Sequence, residues 1–162
     1  MAAAAVATAA VALSAPALGG NAGVPEGNAH CLGKPATIIG SRGNDIGENA
    51  IKGTPGPDVI WAGSGRDAVD GRGGRDLICG GSGGDLLIGS EGKDRISGGS
   101  GPDILAGGGA GDHLMGKGGD DQMDGEAGND ICAGGPGDDV SSFAGCETVK
   151  STTTISRPIT TP

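Results

Sequence analysis

The sequence predicts an all-β chain made by stacking short strands, and three observations carry that expectation. Glycine and proline supply 37 and 9 of the 162 residues, a content that resists long helices. Leu, Ile, Val and Phe together number only 28, too few for an ordinary core, so the chain orders only if a repeat lets small units bury side chains between stacked neighbours. Such a repeat is present. Asp58, Asp67, Asp76, Asp85, Asp94, Asp103, Asp112, Asp121, Asp130 and Asp139 follow one another at an unbroken step of nine across ten units.

In chain order, residues 1–17 read as a secretion signal: an Ala-rich apolar run ending in Ala15-Pro16-Ala17, with small residues where signal peptidase requires them, although no Lys or Arg precedes it. A disordered Ala-rich arm is the alternative. The run is too short and too poor in Leu and Ile for a membrane span. Residues 18–30 read as a linker, and 31–52 as an N-terminal cap containing a partial unit, Ala36 to Asp45, set four residues out of register with the array. The ten units fill 53–142, residues 143–150 form a C-terminal cap, and 151–162 (STTTISRPITTP) are a flexible tail.

Within a unit, position one is Gly in nine of ten (Ala62 differs), position four is Gly in nine of ten (Ala110 differs) and position six is always Asp. Glycines at one and four allow positive φ and a tight turn that directs carbonyls to one side. The aspartate then adds a charged oxygen to a half-cage of oxygens, the ligand chemistry that Ca2+ accepts in numbers of six to eight. Positions seven to nine should form a short strand with position eight inward and its neighbours outward. Position eight reads Ile60, Val69, Ile78, Leu87, Ile96, Leu105, Leu114, Met123, Cys132 and Ser141, an aliphatic ladder that fades at its end.

This pattern resembles the hemolysin-type, or repeats-in-toxin (RTX), calcium-binding nonapeptide G-G-x-G-x-D-x-U-x. The resemblance implies a parallel β-roll with two nonapeptides per turn and calcium between loops one turn apart. Ten units then give five turns, about 24 Å of stack at about 4.8 Å per turn. It implies two columns of ligands: Asp58, Asp76, Asp94, Asp112 and Asp130 in one, Asp67, Asp85, Asp103, Asp121 and Asp139 in the other. About eight ions follow, with one more if the Asp45 loop stacks. The competing reading makes each Asp a turn cap. Against it, carboxylates stacked at about 4.8 Å repel by roughly 3 kcal/mol per neighbouring pair at an effective dielectric of 20.

Other functions lack residues. A net charge of -9 without a basic cluster excludes a phosphate-binding surface for nucleic acid. One Trp, one Phe and no Tyr leave little to line a small-molecule pocket. His30 and His113 stand outside any zinc spacing, and Ser64, Ser82 and Ser100 occupy loop position three with no base beside them, so an enzyme is not expected. Cys31, Cys79, Cys132 and Cys146 fit two disulfides in an exported chain. Three connectivities are possible, and Cys31–Cys79 with Cys132–Cys146 is favoured because each pair ties a flank to the nearer end of the roll. The flanks CLGKPATIIG and ICAGGPGDDVSSFAGCETV also resemble those of small exported proteins of this family. The expectation is a secreted, monomeric, non-enzymatic protein that folds on binding calcium, its protein or cell-surface partner undefined. The alternative, a cytolysin-related or adhesive protein using the roll as scaffold, lacks apolar helices ahead of the array and a regular outward ladder.

Overall fold

A computed structural model describes residues 29–141 and 145–149 of the chain. The secretion signal, most of the linker, the tail and part of the C-terminal cap lie outside the described residues.

Strands start where each unit turns aliphatic and end where its glycines bend the chain. One parallel sheet stacks, in order, Ile38–Ile39, Val59–Ser64, Leu77–Ser82, Arg95–Ser100, His113–Gly118, Asp130–Ala133 and Cys146–Val149. The other stacks Ile51–Lys52, Ala68–Asp70, Leu86–Gly92, Ile104–Gly109, Gln122–Ala127 and Val140–Ser141, with Gly73–Gly74 also paired to Leu86–Gly92. Pairing joins Ile60 to Ile78, Ile78 to Ile96, Ile96 to Leu114 and Leu114 to Cys132, a constant step of 18 residues. Two nonapeptides therefore make one turn, and the chain is a parallel β-roll of about five turns.

The core is the position-eight ladder. Ile60, Ile78, Leu87, Ile96, Leu114 and Cys132 are wholly buried, and Ile51, Val69, Leu105 and Met123 nearly so. Each large aliphatic side chain contributes about 1.5–3 kcal/mol of burial. Position seven faces outward at Leu86, Ile104 and Ile131, all exposed, as the alternation requires. Leu77 departs from this and is buried, since the antiparallel hairpin of His30–Cys31 and Lys34–Pro35 packs on the outer faces of Val59–Ser64 and Leu77–Ser82.

The strands run longer than the three residues expected. Leu77–Ser82, for example, passes from position seven through position three of the next unit. The glycines act differently from expectation. Positive φ falls at positions two and four, as at Gly81 (φ 111) and Gly83 (φ 125), and not at position one. Position one is glycine for space. A Cβ on Gly107 would lie 2.6 Å from Asp112 Oδ2 and 2.8 Å from the Gly125 carbonyl oxygen, so the turn above and the unit's own carboxylate leave no room for a side chain there; Ala62, wholly buried in the second unit, is the one position-one residue that carries a Cβ.

The partial unit joins the stack. Ile38 pairs with Ile60 across 22 residues while Ile51 pairs with Val69 across 18, which confines the four extra residues to the stretch between. There the 3-10 turn Gly47–Asn49 takes them up. The disulfides are Cys31–Cys79 and Cys132–Cys146, each with Cα atoms 5.6 Å apart. The second anchors Cys146–Val149 along the last rung. The first does not cover the open end as expected; it pins the hairpin against the side of the roll, while Ile38–Ile39 covers the edge.

Candidate metal centre

Each aspartate of the array sits in a loop, or for Asp130 at the start of its strand, that the neighbouring strands hold in register, so the two-per-turn stack delivers one carboxylate above another. The backbone N–H of each aspartate donates to Oδ1 of the aspartate one turn later. In the first column, Asp58 donates to Asp76 at 2.9 Å, Asp76 to Asp94 and Asp94 to Asp112 at 2.8 Å, and Asp112 to Asp130 at 2.7 Å. In the second, Asp45 donates to Asp67 at 2.8 Å, Asp67 to Asp85 at 2.9 Å, Asp85 to Asp103 at 2.8 Å, Asp103 to Asp121 at 2.9 Å and Asp121 to Asp139 at 3.1 Å. Asp45 therefore heads the second column despite its shifted sequence register.

These bonds use one carboxylate oxygen and leave the other. Oδ2 of Asp67, Asp76, Asp85, Asp94, Asp103, Asp112, Asp121, Asp130 and Asp139 is buried with no hydrogen-bond partner. A buried polar atom without a partner costs about 1–3 kcal/mol, and more when charged. Nine such atoms in two lines are acceptors whose burial a cation would offset.

Backbone oxygens complete the surroundings. The carbonyl oxygens at positions two and four point toward the turn above, so that a Cβ on Gly81 or Gly83 would collide with the carbonyl of Gly63 or Gly65. Among the described residues no three His, Cys, Asp or Glu side chains converge. The donor set between turns is thus carbonyl oxygen plus isolated carboxylate oxygen, which suits a hard cation such as Ca2+ and not Zn2+. The oxygens fit calcium.

The electrostatics say the same. Burial first, and the like charge of column neighbours second, push Asp67, Asp76, Asp94 and Asp112 up from 3.8 to about 6, against the opposing effect of the backbone N–H bonds. Asp103 is pushed up to about 7, and burial raises Asp85 and Asp121 as well. A cation lying between turns would favour the charged carboxylates and offset both effects.

Two aspartates behave otherwise. Asp58 Oδ2 accepts from the Thr54 N–H at 2.6 Å and from Thr54 Oγ1 at 3.0 Å. Asp45 Oδ2 accepts from the Ser41 N–H at 2.6 Å, and its Oδ1 from Ser41 Oγ at 2.9 Å. At the N-terminal end of each column the carboxylate thus also caps its own turn. The sequence reading does not single out Thr54 and Ser41; the available signal is a hydroxyl residue at position two, where five of the ten units carry Gly. His113 is exposed on its strand, as expected of position seven.

A parallel β-roll whose turns enclose stacked, unpartnered oxygens is a calcium-binding solenoid. The family model described as RTX calcium-binding nonapeptide repeat (4 copies) matches residues 46–78, 80–113 and 106–140, and the chain belongs to that family. No curated protein and no solved structure matches it. No helix among the described residues is long and apolar enough to cross a membrane.

Proposed function

We propose that the chain is a secreted, non-enzymatic β-roll that is largely unfolded without calcium, folds on meeting it outside the cell, and holds nine ions. The nine orphaned Oδ2 atoms carry this reading. With Asp45 heading the second column, that column has five gaps between consecutive aspartates and the first column has four. Each gap is closed on its C-terminal side by one of the nine orphaned oxygens, so the count rises by one above the eight expected from the array alone. Residues at positions two and four supply carbonyl oxygen, and the aspartates supply charge.

Folding is coupled to binding because the apolar ladder is thin. It comprises one buried aliphatic side chain per unit, whereas ordering each residue costs about 1–2 kcal/mol in backbone entropy alone. Two disulfides and the typically extracellular setting of RTX proteins support export. Circular dichroism of the mature chain tests the reading: β signal should appear on raising calcium from an EDTA-buffered solution to millimolar, with a calorimetric stoichiometry near nine. Identical spectra in both solutions would overturn it.

A further inference from the structure

Positions five and seven flank each ligand aspartate, so successive turns line one groove on either side of the roll. The two grooves differ. On the second column's side the walls are Gly84, Pro102, Leu86 and Ile104, with Arg66 as the single cation. On the first column's side a groove of about 740 Å³ is lined by Arg75, Lys93, Arg95 and His113. Arg75 and Lys93 occupy position five on consecutive turns, and Arg95 pairs in register with His113 on the next rung. The floor beyond them is Gly111 and Gly128, which leaves the channel open along its length.

The linear sequence shows no basic cluster, but the fold gathers three cations within two turns of a chain of net charge -9, and that grouping needs an explanation. The repeat does not demand them, since elsewhere positions five and seven carry residues as different as Pro57, Gly84, Leu86, Ile104, Asp120 and Gln122, with Arg66 the one further Lys or Arg. They do not offset the buried carboxylates by contact, because the neighbouring Asp76 and Asp94 Oδ2 atoms have no partner. Among the described residues none of Arg75, Lys93 and Arg95 forms an ion pair or side-chain hydrogen bond. All three are exposed toward the groove. Like charges on adjacent rungs repel, and two guanidinium forks beside an ammonium match the oxygens of a tetrahedral anion.

We propose that this groove is an oxyanion site for a sulfate- or phosphate-ester group, open only in the calcium-loaded roll. Calcium enters twice. It assembles the turns that bring the cations together, and it takes up the charge of Asp94, the one acidic residue lining the groove. The proposal rests on the calcium-dependent fold proposed above, and the two can fail separately.

The test uses the mature chain in millimolar calcium, with folding first confirmed by circular dichroism; absence of a calcium-induced β signal there would overturn the folding reading and this one together. Sodium sulfate, a sulfated disaccharide and phosphatidylglycerol vesicles are then compared as probes at constant ionic strength. Binding of one or more of them should weaken at least tenfold in Arg75→Gln/Lys93→Gln/Arg95→Gln and stay unchanged in Arg42→Gln/Lys52→Gln, with the calcium midpoint of both variants preserved. Which probe binds tightest tells a free anion, a sugar ester and a lipid headgroup apart. If the triple variant does not fold, Arg95→Gln alone should still cost about threefold. Folded protein that binds none of the three probes, or equal losses in the groove and control variants, would overturn the oxyanion site while leaving the calcium reading intact.

Discussion

Asp94 donates its backbone N–H to Oδ1 of Asp112 across 2.8 Å, and Oδ2 of Asp112 is buried beside that bond without a partner. One contact thus sets the spacing of two turns and leaves an oxygen over for an ion. Because the relation repeats from turn to turn, the roll's register and its ligand geometry are one feature.

Stoichiometry should therefore depend on position. Asp94 has a column neighbour on both sides, Asp76 and Asp112, whereas Asp139 has only Asp121. Asp94→Ala should remove about two ions and raise the calcium midpoint for folding more than Asp139→Ala, which should remove one. A central defect also interrupts nearest-neighbour stacking where a terminal one shortens it. Calorimetric titration of the two variants decides, and equal losses would mean that the loops bind independently.

Acid should partly replace calcium. The folded-state values of Asp67, Asp76, Asp94, Asp112 and Asp103 stand near 6 to 7 against 3.8 for an exposed carboxyl, so the calcium-free fold binds more protons than the unfolded chain. Its stability is then greatest below about pH 4 and is lost as pH rises through 6 to 7. In EDTA, β signal should grow on going from pH 7.5 to 4.5. Calcium added at pH 6 should release protons, measurable as buffer-dependent heat; no proton release would contradict the raised carboxyls.

A single methyl group should damage a site without touching a carboxylate. A Cβ on Gly98 would collide with Asp103 Oδ2 and approach the Gly116 carbonyl oxygen to 2.8 Å, while one on Gly109 would meet only the Ser90 carbonyl oxygen, at an ordinary 3.8 Å. Gly98→Ala should accordingly raise the calcium midpoint severalfold and lower the ion count, and Gly109→Ala should change neither. Calcium titration followed by circular dichroism separates the two.

The repeat was legible because its demands are periodic: an aspartate every nine residues and an aliphatic residue two later are enough to define turn, core and columns. What the sequence hid was the reason behind each glycine. Position one carries glycine because Asp Oδ2 and the next turn's carbonyl occupy the space, and position two, which the pattern leaves half-free, is where φ turns positive. Asp45 was ambiguous for a related reason. A four-residue insertion breaks the count along the chain, but the Gly47–Asn49 turn absorbs it and returns Asp45 to the column through its bond to Asp67. The hairpin's lateral docking was half visible: the alternation already turns Cys79, at position nine, outward, but nothing in the sequence around Cys31 says that a hairpin folds there against the side of the roll.

The strain at position two gives the last prediction. Arg72, Ser90, Lys117 and Glu126 hold φ of 71°, 75°, 85° and 63°, a left-handed conformation that costs a side-chain-bearing residue about 1 kcal/mol relative to glycine. Two of them are compensated locally by an aspartate two residues earlier: Asp70 Oδ1 accepts from the Arg72 N–H at 2.9 Å, and Asp124 Oδ1 from the Glu126 N–H at 3.0 Å. Asp70 Oδ1 also accepts from Ser90 Oγ at 3.0 Å. Lys117 has no such side-chain acceptor: Met115 stands two residues before it, and its N–H goes to the Gly134 carbonyl. Lys117→Gly should relieve the strain without loss of a bond and stabilise the calcium-loaded roll by about 0.5–1 kcal/mol. Glu126→Gly should gain less, because Asp124 already favours the bent backbone there. Urea titrations in saturating calcium measure both, and a destabilised Lys117→Gly would show that the side chain, not the backbone, dominates at this position.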